Sequence, residues 1–139
     1  MRLLVIIRNK KMEDDKAKNK NARTVLIAED DEFNYTLIKT ILSLHGFEVV
    51  RARDGKEAVD LYRSCEGVDI VLMDLQMPVM DGFTALKEIR SLDGHVPVIV
   101  QTTYNIDGMR DKAFRLGCNE FITKPIDPDF LMSTVEKYI

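Results

Sequence analysis

Between residues 24 and 139, short apolar runs alternate five times with segments whose apolar residues recur every three or four positions. The runs are four to seven residues long and rich in β-branched residues, as in buried strands. The segments between them have the periodicity of amphipathic helices. Regular strand–helix alternation leads to a parallel sheet with helices packed on both faces. We therefore expect an α/β domain over residues 24–139.

The predicted strands are TVLIAE, FEVVRA, VDIVLMD, VPVIVQT and EFIT, which begin at residues 24, 47, 68, 96 and 120. Helices are predicted between them, and a fifth helix is predicted to reach the last residue. Gly46 and Gly117 follow the first and fourth helices and indicate where they end. The first helix carries apolar residues at helical spacing, namely Leu37, Ile38, Ile41, Leu42 and Leu44.

The segment RNKKMEDDKAKNKNAR, residues 8–23, is almost entirely charged, polar or small. Such a composition cannot bury a core face, so we expect residues 1–23 to be a polar tail or linker. The apolar run RLLVII before it could be a strand, the end of a truncated upstream element or a vestige. The folded domain is expected to begin at residue 24.

The formal net charge of -3 gives no general attraction to nucleic acid or to anionic membranes. The longest apolar runs, such as LLVII, are too short to span a bilayer, and no signal-peptide cleavage pattern follows that run. Cys65 and Cys118 are isolated in the sequence, which is typical of free thiols in a reducing compartment. We expect a cytoplasmic protein without nucleic-acid contact or membrane insertion.

Polar residues collect where the predicted strands end, and the apolar run VDIVLMD even stops on a carboxylate, Asp74. The carboxyl ends of parallel strands meet at one edge of a sheet, so these side chains are expected to lie close together. The set comprises Glu29, Asp30 and Asp31 after the first strand, Asp74 after the third, Thr102 and Thr103 after the fourth, and Lys124 after the fifth.

Carboxylates gathered at one edge repel one another unless a cation lies between them. Hard oxygen ligands with room for retained water suit Mg²⁺. A lysine and a hydroxyl on the far side suit the oxygens of a phosphoryl group. An acid, a divalent cation, a lysine and a hydroxyl together predict a phosphoryl-transfer site, with the carboxylate as the nucleophile. The buried strand would then serve as a rigid anchor for Asp74.

Four sequence blocks occur in order: the acidic pair in LIAEDDEFN, the block VLMDLQMPVMDG, the threonine in VIVQTT, and FITKPI with its Lys-Pro. In this order and spacing, the blocks resemble the receiver domains of response regulators in two-component and phosphorelay signalling. The resemblance covers residues 24–139. It implies a flavodoxin-like (βα)5 fold, that is, a doubly wound parallel five-stranded sheet with strand order 2-1-3-4-5.

Carried over residue by residue, the resemblance makes Asp74 the phosphorylated aspartate. Asp30 and Asp74 would hold Mg²⁺ directly, the backbone carbonyl of Gln76 would be a third protein ligand, and Glu29 would act through water. Mn²⁺ is a possible substitute for Mg²⁺. Lys124 would bind the phosphoryl group, and the family pattern predicts a cis peptide between Lys124 and Pro125.

The resemblance also assigns regulatory roles. Thr102 would be the switch hydroxyl and Phe121 the switch aromatic residue, so that phosphorylation changes the face formed by helix four, strand five and helix five. Gln76 and Thr103 occupy the positions that tune the lifetime of the phosphorylated state. Thr103 is expected to obstruct the attacking water by its bulk.

A receiver domain is a signalling module rather than an enzyme that acts on other molecules. The implied partners are a histidine kinase or a histidine phosphotransfer protein, and the implied state is a monomer or a weak phosphorylation-dependent dimer. Glu29 and the block MDLQMPVMDG resemble the receivers of hybrid sensor histidine kinases. A stand-alone receiver and a receiver cut from a longer hybrid kinase both fit, and the second origin is favoured.

Two other functions share parts of this pattern. A Mg²⁺-dependent aspartyl-phosphate phosphatase would have an acid where Gln76 stands and an inserted cap domain. A flavodoxin-like cofactor binder would have a phosphate loop rather than EDDEFN after the first strand. The remaining acids and the histidines are assigned ordinary roles, namely helix caps or turns for Asp31, Asp54, Asp81 and Asp107, and no metal binding for His45 and His95.

Overall fold

The computed structural model describes residues 22–103 and 108–139. The strands are β1 (Thr24–Ala28), β2 (Glu48–Ala52), β3 (Val68–Asp74), β4 (Val98–Thr102) and β5 (Glu120–Thr123). The helices are α1 (Glu32–Leu44), α2 (Gly55–Ser64), α3 (Gly82–Leu92), α4 (Met109–Arg115) and α5 (Pro128–Glu136). The predicted alternation is confirmed. The predicted polar tail or linker, residues 1–23, lies outside the described residues except for Ala22 and Arg23.

The five strands form one parallel sheet in the order β2-β1-β3-β4-β5. This order confirms the expected doubly wound, flavodoxin-like topology. From β1, inside the sheet, the chain builds outward to the edge strand β2 and then crosses to β3 on the other side of β1. The direction of winding reverses between β1 and β3, and ligands bind outside the carboxyl ends of the strands at such a reversal.

The hydrophobic core has two layers, one on each face of the sheet. In β3, Val71 and Met73 pack into the layer covered by α2, α3 and α4, whereas Ile70 and Leu72 pack into the layer covered by α1 and α5. All four are at most 1% exposed, and burying each such side chain contributes about 1.5–3 kcal/mol. A strand buried on both faces needs apolar residues at every position, which explains the unbroken run before Asp74.

Helix starts are fixed mainly by aspartates. The N-caps of α1, α2, α3 and α5 each accept a hydrogen bond from a backbone N–H of the first turn, and they are Asp31, Asp54, Asp81 and Asp127. A cap of this kind contributes about 1 kcal/mol. Helix α4 instead follows Gly108, which has φ 87° and provides no side-chain cap. The predicted cap roles of Asp31, Asp54 and Asp81 are confirmed, and Asp107 lies outside the described residues.

Two details of the helices differ from the sequence-based prediction. Leu44 is 80% exposed, because it lies about 200° around α1 from the buried Leu42 at 100° per residue. Helix α5 ends at Glu136 rather than at the last residue. Its final turn tightens there, since the N–H groups of Lys137 and Tyr138 bond to carbonyls three residues back.

The cysteines and the helix lengths bear on two further predictions. Cys65 and Cys118 are both free, as expected, and both are buried. Burial raises the pKa of the Cys118 thiol to about 11, so this thiol stays protonated at neutral pH. Within residues 22–103 and 108–139, every helix is too short or too polar to cross a membrane.

Candidate functional site

Three carboxylates meet at the carboxyl edge of the sheet. Glu29 and Asp30 follow β1, and Asp74 ends the neighbouring strand β3. Carboxylate oxygens of all three lie within 4.8 Å of one another. Glu29 is 0% exposed and Asp74 is 5% exposed, whereas Asp30 faces solvent. Negative charges this close, with little water between them, destabilise the site unless a cation compensates them.

Lys124 supplies one compensating charge. Its ammonium group donates to the Glu29 carboxylate in a short contact and to Asp74 Oδ2 at 3.1 Å. Lys124 leaves the end of β5, so its side chain passes over the end of β4 to reach these acids. Only 6% of the side chain is exposed. The lysine therefore closes the buried side of the cluster and leaves the side of Asp30 open.

Burial and charge shift the pKa values of this pair. Loss of water around Glu29 raises its pKa to about 7, the hydrogen bond from Lys124 opposes the rise, and Asp74 adds to it. For Lys124, burial alone would lower the pKa, but the bond to Glu29 and the charge of Asp74 raise it above the ordinary value. Lys124 therefore remains a cation at neutral pH.

Backbone N–H groups orient the two buried carboxylates. The N–H of Gln76 donates to Asp74 Oδ1 at 3.1 Å, and the N–H of Asp31 donates to Glu29 Oε2 at 3.3 Å. Each carboxylate thus has one oxygen facing Lys124 and the other held by a turn. An all-oxygen donor set of this kind, with one exposed carboxylate and access for water, suits Mg²⁺. The residues present therefore fit the cation that the sequence predicted.

The turn after Asp74 is held at both ends. The N–H of Gly82 donates to the Leu75 carbonyl at 3.1 Å, and the N–H of Gly55 donates to the Met80 carbonyl at 3.0 Å. A Cβ atom on Gly82 would overlap the carbonyl oxygen of Asp74, so only glycine permits this approach. Between these two anchors, Val79 is forced to φ 66°, a conformation that β-branched residues rarely adopt.

The other predicted site residues lie at the same edge. Thr102 is the last residue of β4 and is 0% exposed, and its carbonyl accepts from the N–H of Lys124 at 2.8 Å. Thr103 follows it at the surface. Phe121 in β5 is 7% exposed. The peptide between Lys124 and Pro125 is cis, as predicted.

The buried ring of Phe121 is covered by a cation on α4. The guanidinium carbon of Arg110 lies 5.9 Å from the centroid of the Phe121 ring and 5.1 Å from that of Phe114. Such contacts between a cation and an aromatic face contribute about 0.5–1 kcal/mol at exposed sites. They connect α4 to β5, which are two parts of the face predicted to change on phosphorylation.

Two features of the site were missed in the sequence. Arg51 in β2 donates to the Glu29 carbonyl through Nε and Nη2, at 3.3 and 3.2 Å. Gln101, in register with Asp74, is 2% exposed, and its amide has no hydrogen-bond partner within the described residues. The place of Arg51 near the end of β2, the strand next to β1, was a signal that it could reach the turn after β1.

The family model of the response regulator receiver domain matches residues 25–136 of this chain. The chain belongs to this family. Receiver domains are signalling modules of two-component and phosphorelay systems, and they bind Mg²⁺ at an acidic site. In this chain, Glu29, Asp30 and Asp74 form an acidic cluster at the carboxyl edge of the sheet.

Two relatives illustrate the range of proteins that contain such a domain. The chain is 38% identical over 117 residues to the chemotaxis protein CheY of Bacillus subtilis, an alignment that covers 84% of this chain and 97% of that protein. It is 37% identical over 123 residues to the hybrid signal transduction histidine kinase I of Dictyostelium discoideum. That alignment covers 83% of this chain but 7% of the kinase.

Two solved structures share the fold. One is the receiver domain of the sensor histidine kinase PA1611 of Pseudomonas aeruginosa, with a magnesium ion coordinated in its active site cleft. It has a TM-score of 0.78 and 30% identity over 84% of this chain and 97% of that one. The other is the receiver domain of Ssk1 of Saccharomyces cerevisiae, crystallised with the histidine phosphotransfer protein Ypd1. Its TM-score is 0.78 and its identity 29%, over 84% of this chain and 88% of that one.

Proposed function

We propose that this receiver domain takes a phosphoryl group from a phosphohistidine onto Asp74. The supporting observation is the arrangement around Asp74, which ends a strand whose last five residues are buried and lies within 4.8 Å of two further carboxylates. Lys124 Nζ stands 3.1 Å from Asp74 Oδ2. A nucleophile, a place for a cation and a fixed positive charge are the parts that phosphoryl transfer to a carboxylate requires.

In the proposed step, a carboxylate oxygen of Asp74 attacks phosphorus and forms the oxygen–phosphorus bond of an acyl phosphate. The phosphorus–nitrogen bond to the imidazole of the partner breaks, and the imidazole nitrogen keeps the electron pair. Lys124 is placed to bind the oxygens of the transferred group as a point charge. The Gln76 N–H, which donates to Oδ1 at 3.1 Å, keeps the carboxylate oriented before transfer.

We assign the cation to Mg²⁺, with Mn²⁺ as a possible substitute. Asp30 and Asp74 would bind it directly, the backbone carbonyl of Gln76 would be a third protein ligand, and Glu29 would act through water. When bound, the cation neutralises negative charge on the phosphoryl oxygens. The cluster of the three carboxylates within 4.8 Å supports this assignment.

Phosphorylation is proposed to act on the face formed by α4, β5 and α5. The new group adds negative charge and three acceptor oxygens close to the end of β4, where the Thr102 hydroxyl can donate to them. Movement of Thr102 would leave space for the ring of Phe121, so the change would travel by repacking between two arrangements. Chemical shift changes on adding a phosphoryl mimic should then cluster in these three elements. Changes confined to neighbours of Asp74 would contradict the switch.

The proposed phosphoryl source is a histidine kinase or a histidine phosphotransfer protein. The similarity to receivers of a hybrid kinase and to a receiver crystallised with a phosphotransfer protein supports this class of partner. We further propose that the domain works in the cytoplasm without contacting nucleic acid, as a monomer or a weak phosphorylation-dependent dimer, and that it derives from a hybrid kinase. Its own chemistry would be limited to gaining and losing the phosphoryl group, with Gln76 and Thr103 tuning the loss.

Intact-mass measurement after incubation with a small-molecule phosphodonor and Mg²⁺ tests the assignment. The parent should gain one phosphoryl group, and Asp74→Asn should gain none. Asp81→Asn is the matched control, because it removes a nearby acid while asparagine can still cap α3. It should be labelled like the parent. Equal labelling of Asp74→Asn and the parent would contradict the assignment of Asp74 as the phosphorylated residue.

A further inference from the structure

Arg51 clamps the acidic turn, which is the segment between β1 and α1 that carries Glu29 and Asp30. It is paired in register with Ile27, so its side chain lies on the face of the sheet that α1 covers. Its Nε and Nη2 donate to the Glu29 carbonyl at 3.3 and 3.2 Å, and Nη2 also lies 3.4 Å from the Asp30 carbonyl. Only 11% of this side chain is exposed. One guanidinium therefore holds two consecutive carbonyls of the turn.

The guanidinium is itself fixed from two other directions. Its Nη1 donates to Glu32 Oε1 at 2.8 Å, in the first turn of α1. Its carbon lies 4.1 Å from the centroid of the Tyr35 ring, one turn further along the helix. A planar group with five donors can make these contacts together, whereas an ammonium cannot. Arg51 therefore joins β2, the acidic turn and α1 in one arrangement.

Asp30 depends on this arrangement more than the other two acids do. Glu29 and Asp74 each have a side-chain bond to Lys124 and a second bond to a backbone N–H. The exposed carboxylate of Asp30, by contrast, accepts no hydrogen bond from any residue that the structure describes. Its position is therefore set by its backbone, and Arg51 holds that backbone through the carbonyls of Glu29 and Asp30.

We propose that Arg51 is a positioning residue for the cation site, which keeps the Asp30 carboxylate directed at the ion. The proposal rests on the proposed function, since it takes Mg²⁺ as the ion. For replacement of Arg51, the proposal predicts a change in Mg²⁺ affinity opposite in sign to the change that simple electrostatics predicts. A positive charge beside a cation site weakens binding, so removal of charge alone would tighten it. Loss of positioning would weaken it.

The chain offers a matched control for this difference in sign. Arg53 also pairs with Glu32 Oε1, at 3.2 Å, but its side chain is 65% exposed and makes no contact with the acidic turn. Arg53→Gln also removes one positive charge next to Glu32, but it leaves the hydrogen bonds to the Glu29 and Asp30 carbonyls in place. Arg51→Gln removes both the charge and the clamp, and Arg51→Lys keeps the charge but not the planar fork.

Calorimetric titration of the metal-free proteins with Mg²⁺ measures the effect. Arg51→Gln should bind about tenfold more weakly than the parent, since loss of a residue that orients metal ligands typically costs 10–100-fold. Arg51→Lys should also bind more weakly, and Arg53→Gln should bind as tightly as the parent or more tightly. Arg51→Gln with the affinity of Arg53→Gln, or Arg51→Lys with that of the parent, would overturn the proposal.

A second readout does not involve the ion. In NMR spectra of the metal-free proteins, the amide signals of Asp30 and Asp31 should move in both Arg51 variants and stay in place in Arg53→Gln. Equal movement in all three variants would overturn the proposal. If Arg51→Gln fails to fold, Arg51→Lys carries both tests. A parent that binds no Mg²⁺ would overturn the proposed function and this proposal with it, whereas equal binding by parent and variants overturns this proposal alone.

Discussion

Lys124 is the cation on which the two buried carboxylates of the metal-free site depend, so its removal is the most informative perturbation. The side chain is 6% exposed, and those of Glu29 and Asp74 are 0% and 7% exposed. Methionine has a similar length and no charge, so Lys124→Met removes the charge without opening a large cavity. The variant then isolates the electrostatic contribution.

Removing one partner of a buried ion pair typically costs about 3–5 kcal/mol, because the other charge is left uncompensated. The open side at Asp30 admits water, so we expect the lower end of that range, about 3 kcal/mol at pH 8 without Mg²⁺. For a domain of this size each kcal/mol lowers Tm by about 4 °C, which gives a drop of about 12 °C.

The loss should depend on pH in a direction that the site dictates. The pKa of Glu29 is already raised to about 7 in the parent, and loss of the Lys124 bond, which lowers it, raises it further. A carboxyl with a raised pKa in the folded state binds a proton that the unfolded chain has released, so stability falls as pH rises from the ordinary value of 4.5 through the folded pKa. Lys124→Met should therefore be closer to the parent at pH 6 than at pH 8.

Thermal and urea denaturation at pH 6 and pH 8, each with and without Mg²⁺, provide the assay. Lys137→Met is the matched control, because that lysine is 60% exposed and pairs with Glu120 at 3.5 Å on the surface. It should change the free energy of unfolding by less than about 0.5 kcal/mol. Mg²⁺ should recover part of the loss in Lys124→Met by binding only the folded state. A loss no larger than that of Lys137→Met, or one equal at both pH values, would refute the reasoning.

Three further predictions concern the turns around Asp74. Val79→Asn should raise the free energy of unfolding in urea by about 1 kcal/mol, since asparagine tolerates the left-handed backbone better than valine; lower stability would argue against strain at this position. Gly82→Ala should lower the free energy of unfolding by about 3 kcal/mol, because the added Cβ overlaps the carbonyl oxygen of Asp74. Gly94→Ala is the control and should lower it by less than about 0.5 kcal/mol, because nothing lies within 4 Å of the added Cβ. Equal losses would contradict the close approach at Gly82. Thr103→Gly should lose its phosphoryl group faster than the parent, with Mg²⁺ affinity unchanged, and intact-mass measurement over time follows the loss. A rate at or below that of the parent would contradict the idea that the bulk of Thr103 obstructs the attacking water.

The sequence was most informative where the pattern is local. Every residue of β3 from Ile70 to Met73 is apolar because both faces of the strand are covered, and this signal is readable without knowledge of any partner strand. The placement of Asp74 at the sheet edge then follows from the parallel arrangement. The strand order, by contrast, came from the resemblance to a family, since nothing in the strands themselves specifies which neighbours pair.

The contacts that were missed join residues far apart in the chain. The bond between Lys124 and Glu29 depends on how the loop after β5 passes over β4, which no local pattern encodes. Arg51 binds backbone carbonyls, and every residue has one, so the sequence does not indicate which carbonyl is bound. The conformation of Val79 runs against the preference of its own side chain, because the turn is held in place at both ends by other residues.

Helix α4 has no side-chain cap, which affects how a partner can recognise the face formed by α4, β5 and α5. Helix α4 spans seven residues, about two turns, and a helix so short is marginal without help from its surroundings. The other four described helices each have an aspartate cap that resists fraying. Among the described helices, α4 is therefore expected to melt and re-form at the lowest cost in free energy. A partner that docks on this face would then meet a population of helical and frayed conformers, and would shift it by selecting the one that it fits.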